Sequence, residues 1–369
     1  MTDRTLSSRL YERVCRFVLF FVAATIAFNG YYQKWHFLEA GVHGTYAVAG
    51  FERMVDGTAN RPFVYRQLLP AIANALDRVT PQATKTWFYV HQGKGTASYL
   101  LAISTSPTAN NPVYFFRYLV VYGLTFLFTL LAVYAMYLLC LAIKIRDPAA
   151  VFGSVIVIVL FPFCMSVGGY FYDFPELALF MLAMLVAIKL DWWWLIPVVA
   201  LGEWNKESFL LIILTLYPIF RLRNSRRGSL LAVAVLGFIC VAIYYSLRLR
   251  FGHNPGGTVE LRWLEQLRWF SHPKYLLYET EETYGMRMLR PMTLLPMGLL
   301  LWTIQRGWKY LPPAVQRHGI IAAALNIPLY FLFCAPGELR DLSMLSVVVL
   351  LTIATNLNHW VEHGTAPVT

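Results

Sequence analysis

Residues 192–220 read WWWLIPVVALGEWNKESFLLIILTLYPIF, apolar at both ends and carrying Gly202, Glu203, Asn205, Lys206, Glu207 and Ser208 in the middle. Asp191 precedes the stretch, and Arg221, Arg223, Arg226 and Arg227 follow it. A basic tract of this kind marks the cytoplasmic side of a membrane helix. With both flanks on that side, the chain between them must run out and return as two short helices. Arms of roughly 10–13 residues rise only about 15–20 Å, so the turn at 205–208 lies below the outer surface, in a protein-lined cavity. The alternative is one long tilted helix with Lys206 and Glu207 near mid-membrane, which inverts everything after it.

The rest of the chain favours the two-arm reading. Of 369 residues, 58% are hydrophobic and 14% charged, against roughly 25% charged in a soluble domain. Apolar runs near the ~20 residues that cross a bilayer recur from residue 14 to residue 357. The expectation is an all-α, polytopic bundle of about nine or ten membrane-crossing or membrane-dipping helices, forming a single transmembrane domain over 1–369. The net charge of +11 comes from short Lys/Arg tracts between those runs, which is a topology signal rather than a nucleic-acid surface. Arg4, Arg9, Arg13 and Arg16 precede the first run, so the N-terminus is expected in the cytoplasm.

Further helices are expected at 14–28, 113–143, 150–165, 176–190, 229–245, 289–304, 320–333 and 342–357. Two external loops separate them, at 29–112 and 248–286. The first carries two amphipathic surface helices, 37–55 and 64–79, and reads as irregular at 92–112. The second holds an amphipathic stretch at 261–269 and the acidic run Glu279, Glu281 and Glu282, read as solvated loop. The two-arm reading puts every basic tract between helices inside, except Arg248 and Arg250. Cys15, Cys140, Cys164, Cys240 and Cys334 form no C-x-x-C pair and read as buried free thiols.

Four polar clusters then share the external face: Tyr65 with Arg66, Tyr170 to Glu176 with Tyr172 and Asp173, Asn205 to Ser208 with Lys206 and Glu207, and Glu338 to Asp341 with Arg340. Ionisable groups at membrane depth are unfavourable and therefore candidates for function. Each has a plainer alternative: Arg66 as a headgroup anchor, Asp173 as a helix N-cap, Lys206 and Glu207 as a mutual ion pair, Glu338 to Asp341 as an exposed turn. The three tryptophans at 192–194 read as an interfacial belt. The sequence contains no Walker A, G-x-G-x-x-G, G-x-S-x-G or HExxH motif. A carboxylate that accepts a proton and cations that hold a phosphate are the chemistry left on the page.

The blocks Arg61-Pro-Phe-Val-Tyr65-Arg66-Gln-Leu-Leu-Pro70, Tyr172-Asp173, Trp204-Asn205-Lys206-Glu207 and Glu338-Leu-Arg340 resemble those of bacterial members of the GT-C class of membrane glycosyltransferases. That resemblance implies an inverting sugar transfer from a polyprenyl-phosphate-linked donor to a lipid or glycan acceptor. It implies work at the periplasmic face of the bacterial inner membrane, among membrane lipids and without nucleic acid. The phosphate would be held by Arg66, Lys206 and Arg340, with Tyr65, Tyr172, Asn205 and Glu338 lining the site. A divalent cation, Mg²⁺ or Mn²⁺, stays open as a cofactor, and no metal ligands are assigned. The class usually places an acid directly after its first helix, whereas this chain reads Phe28-Asn-Gly-Tyr-Tyr-Gln-Lys34-Trp35 there. The base is therefore expected to be Asp173, with Glu207 and Asp56 in reserve. A transporter of an anionic lipid-linked substrate and an O-antigen-type polymerase or ligase are the competing readings.

Overall fold

The computed structural model describes residues 6–35, 50–93, 111–165, 169–257 and 261–364. The long apolar runs become helices, labelled here in chain order. They are α1 (Leu6–Trp35), α2 (Phe51–Val55), α3 (Leu68–Val79), α4 (Gln82–Phe88), α5 (Phe115–Ala142), α6 (Asp147–Leu160), α7 (Asp173–Lys189), α8 (Leu195–Asn205), α9 (Phe209–Thr215) and α10 (Tyr217–Phe220). Then follow α11 (Arg226–Phe251), α12 (Trp263–Ser271), α13 (Pro273–Leu277), the strands β1 (Thr280–Thr283) and β2 (Met286–Leu289), α14 (Leu294–Trp308), α15 (Pro313–Phe333) and α16 (Ser343–Gly364).

Among the described residues, five segments are long and apolar enough to cross a bilayer: Leu10–Tyr32, Phe115–Ala142, Asp147–Cys164, Arg226–Phe251 and Ser343–Glu362. This is a helical membrane protein. The remaining expected crossings fall short of that measure. α7 has 17 residues and α14 has 15, while α15 is long enough but carries Gln316, Arg317, His318 and Asn326. Residues 192–220 do break into short helices, with α8 ending at Asn205 and α9 starting at Phe209. Gly202 makes the break tight, because a Cβ there would stand 2.4 Å from the Phe209 ring.

α7 is the axis of the bundle. Twelve of its 17 residues are buried, so it touches protein on nearly every side; α5, α8 and α16 pack against it. α8 in turn packs on α11, whose Leu230, Leu231, Phe238, Tyr245 and Leu249 stay exposed. Such a row on a helix with hydropathy 2.4 is the surface expected to meet acyl chains. α1 shows a similar outer face through Val14, Phe17, Val18, Phe21 and Val22. All five cysteines are free; Cys15 is exposed on that face rather than buried as expected.

The loops depart further from expectation. Of the surface helix expected at 37–55, only Phe51–Val55 lies among the described residues and is helical; most of the irregular stretch at 92–112 lies outside them. The second helix expected in this loop is present but begins later, at Leu68, after a single 3₁₀ turn Phe63–Tyr65. The acidic run is not solvated loop. Thr280 pairs with Leu289 and Thr283 with Met286 in a two-stranded antiparallel hairpin. Tyr284 and Gly285 turn it with φ of 58° and 72°, the pair of positive angles that a two-residue hairpin turn demands. The Tyr284 hydroxyl donates to the Val159 carbonyl at 2.6 Å. Its ring occupies the space beside Gly30, where a Cβ would meet it at 2.3 Å. Behind the turn, Glu281 is buried against Lys34, and Lys34 also donates to the carbonyls of Pro162 and Met165 at 2.9 and 2.8 Å. The hairpin is thereby clasped to the ends of α1 and α6.

Candidate functional site

Three turns are stapled together by backbone-directed hydrogen bonds. The Gln67 N–H donates to the Trp204 carbonyl at 3.1 Å, joining the Phe63–Tyr65 turn to the end of α8. The Asn205 amide donates to the Tyr172 carbonyl at 2.9 Å, joining α8 to the start of α7. The fourth segment, the 3₁₀ turn Leu339–Asp341, is held by Asn326 of α15, which donates to the Asp341 carbonyl and accepts from Met344 N, both at 3.0 Å. Residues up to 275 positions apart in sequence thus meet at one end of α7.

Their side chains form a buried ionic network. Arg66 presents two nitrogens to Glu207, at 3.2 and 3.5 Å, and also donates to the Tyr172 hydroxyl. Lys206 reaches Glu176 at 2.7 Å, and the Ser208 hydroxyl donates to the other Glu176 oxygen at 2.6 Å. Arg340 donates to Asp173 at 3.0 Å and to Glu338 at 2.7 and 2.9 Å. Tyr170 and Tyr172 stack with centroids 4.9 Å apart and planes 7° from parallel. Arg66 lies 4.5 Å from the Tyr172 centroid and Arg340 lies 4.7 Å from that of Tyr170. Two stacked phenols therefore connect two guanidinium groups, an arrangement favoured by the negative ring faces.

Burial disfavours the charge on Arg340, but Glu338 and Asp173 outweigh it and hold the guanidinium charged well above its ordinary range. Arg66 behaves alike, with Glu207 overcoming the burial. Three cations meet four carboxylates here, so the ligand-free network leans acidic. The cavity beside Asp173, Glu176 and Arg340 is only about 10 Å³, room for a single water. Among the described residues, no three His, Cys, Asp or Glu side chains stand close enough to hold a metal ion, so the cation that the sequence left open has no ready donor set.

Several plain alternatives are now corrected. Arg66 is part-buried and engages Glu207 and Tyr172 of the network. Lys206 and Glu207 pair with Glu176 and Arg66 and not with one another. Asp173 does not cap α7: it is the first helical residue, and its Oδ2 accepts from the Tyr170 N–H behind it at 2.7 Å. Glu338 is 5% exposed and belongs to no open turn. Asp56 stays apart from the network and binds Arg117 at 3.0 Å and the Tyr114 hydroxyl at 2.5 Å, so that reserve base has no place at this site. Tyr65 faces a neighbouring cavity with Arg248, 4.9 Å from its ring centroid.

No family model, curated protein or solved structure matches this chain. The site is therefore read from its own geometry. Two members escaped the sequence selection. Glu176 stood inside the Tyr170 cluster and was passed over for Asp173, although i, i+3 spacing puts both in the first turn of α7. Glu203 stood in the polar middle of 192–220 and is 2% exposed; its burial beside an apolar run was the signal.

Proposed function

We propose that this protein binds a lipid-linked phosphate among Arg66, Lys206 and Arg340 and transfers the sugar it carries to a hydroxyl acceptor. One observation carries the reading: three cations from three separate segments converge on a pair of stacked tyrosines at one end of a membrane bundle. Guanidinium forks match phosphate oxygens, and a leaving phosphate gains charge as the glycosidic bond breaks. Tyrosine faces suit a sugar ring. The carboxylates that pair with the cations hold them in position, and phosphate binding exchanges these partners. Asp173 orients Arg340 in this scheme, and Glu207 orients Arg66. The Arg tract after residue 220 and the break at 205–208 support an external site in our reading, with the bacterial periplasm as its compartment.

Lipid-phosphate binding and sugar turnover by purified protein test the reading. Arg340→Lys keeps the charge but loses the fork, and the loss of charge-assisted hydrogen bonds predicts affinity weaker by about 10- to 100-fold. Asp173→Asn, folded normally, loosens Arg340 and weakens binding by a smaller factor. Wild-type binding and turnover in Ala variants at Arg66, Lys206 and Arg340 would remove the proposal. For sidedness, Ser271→Cys and Arg223→Cys, both at exposed positions, are labelled in a cysteine-free background with an impermeant thiol reagent. Labelling of the first from outside and the second only after opening the cells supports the external assignment; the reverse overturns it.

The junction of α8 with α9 also fits a transport site, since broken helices with charged turns bind ions at membrane depth. Counterflow of a lipid-linked anion without turnover would favour that second reading.

A further inference from the structure

Every carboxylate of the ionic network is held by a cation, and Glu203 is not. It lies on α8 one turn before Glu207, and its Oε2 accepts the backbone N–H of Leu210 at 2.9 Å. Its Oε1 finds no hydrogen-bond partner, although the side chain is almost fully buried. Among the described residues it makes no ion pair. Glu203 lines a second cavity with Tyr65, Glu207, Tyr244, Leu247 and Arg248. A free volume of about 10 Å³ there holds one water or one hydroxyl.

The other charged wall of this cavity is Arg248, from α11. Its guanidinium lies 4.1 Å from the Tyr244 centroid and 4.9 Å from that of Tyr65, and its Nε–H is also without an acceptor. An unused carboxylate oxygen and an unused guanidinium N–H on one cavity are the complement of an alcohol, which accepts from a cation and donates to a carboxylate. Leaving such groups buried and unsatisfied is unfavourable by roughly 1–3 kcal/mol each, so this wall stands ready for a small polar group. The other ionisable groups around Glu203 are Glu207 from the turn, Tyr65 from the Phe63–Tyr65 turn, and Cys240 and Tyr244 from α11. Glu207 is already taken by Arg66.

We infer that this second cavity receives the acceptor hydroxyl, that Arg248 holds its oxygen, and that Glu203, rather than Asp173, is the group that takes its proton. The inference rests on the sugar-transfer reading above. In the step, the acceptor oxygen forms a bond to the anomeric carbon while the bond from that carbon to the phosphate oxygen breaks. The bonding pair leaves with the phosphate, and the hydroxyl proton passes to the Glu203 carboxylate. Glu207 lines this cavity while pairing with Arg66 of the network, so the proposed acceptor and phosphate sites are neighbours.

Two measurements separate the failure of this inference from the failure of the reading beneath it. Dicyclohexylcarbodiimide adds to proton-bearing carboxyls in apolar surroundings and needs no substrate. Peptide mass spectrometry of the labelled wild-type protein is expected to find the adduct chiefly on Glu203, more of it at pH 6 than at pH 9, and less on Asp173, Glu176, Glu207 and Glu338, each of which is held by a cation. Adducts on those four with Glu203 unmodified overturn the inference without touching the reading. The second measurement is Glu203→Gln, which keeps size and the Leu210 hydrogen bond. It is expected to bind polyprenyl phosphate within twofold of wild type and to lose about 10²–10⁴ in turnover, the usual effect of losing a general base. Wild-type turnover in that variant overturns the role of Glu203, whereas absence of polyprenyl-phosphate binding in the wild type overturns the reading itself.

Discussion

Charge is buried in two places in this molecule, and the two differ in how completely it is used. In the network at the start of α7, each of Asp173, Glu176, Glu207 and Glu338 accepts a hydrogen bond from a cation. In the hairpin clasp, Lys34 spends its donors on Glu281 and two carbonyls. Arg290 there reaches Glu279 at 3.2 Å and Glu281 only at 3.7 Å, and Glu279 Oε2, Glu281 Oε2 and Arg290 Nε have no hydrogen-bond partner. A fully satisfied buried network is rigid, while a half-satisfied one is held weakly and opens first. The network is therefore expected to be the more firmly held of the two, and the hairpin the one that opens first.

The largest effect should come from emptying the centre of the network. Arg340→Met leaves Asp173 and Glu338 buried without their shared cation, and removing one partner of a buried pair is worth about 3–5 kcal/mol. Thermal unfolding in detergent should show this loss, and adding Glu338→Gln should recover part of it. Next comes Lys34→Met. Glu281 keeps Arg290 nearby, so a loss of about 1–3 kcal/mol is expected, read as faster tryptic cleavage at Arg287 while the helices remain protected. Equal destabilisation by the two variants would break the comparison.

A change of pH sharpens it. Burial pushes the Glu281 carboxyl up to about 7, against the pull of Lys34. A carboxyl with a higher value in the docked hairpin than in the undocked one stabilises docking below its ordinary value near 4.5, and that contribution fades as pH rises through 7. Amide exchange over Thr280–Thr283 and Met286–Leu289, corrected for intrinsic rates, should thus be slower at pH 5 than at pH 8, with α7 unchanged. The smallest effect sets the scale: Ser225 caps α11 by accepting from Gly228 N at 3.1 Å, and Ser225→Ala should remove about 1 kcal/mol from global stability and nothing from either charged region.

The sequence made the network legible because each of its clusters is a polar interruption in apolar surroundings, which a hydropathy reading cannot overlook. It also revealed the break at 205–208, since reading both flanks of 192–220 on one side left a short chain that had to turn back. It could not reveal the partners. Glu176 and Asp173 are equivalent in the first turn of α7, and only the fold decides that one meets Lys206 and the other Arg340. The hairpin was missed for a local reason: Tyr284-Gly285 is not a common turn pair, and Tyr284 adopts a left-handed conformation that bulky residues avoid. Its ring contact at Gly30 and its hydrogen bond to Val159 hold it there, and both lie more than 100 residues away in sequence.

The shortness of α8 has an electrical consequence. Its 11 residues rise about 16 Å, roughly half of a ~30 Å hydrocarbon layer. In the external arrangement we propose, a charge arriving at Lys206 would traverse part of the transmembrane voltage drop. A full traverse of one elementary charge is worth about 2.3 kcal/mol per 100 mV, so reaching half depth involves about half of that. If the proposed phosphate binds there, its occupancy should differ several-fold between energised and de-energised membranes, and the membrane potential would bear on this site.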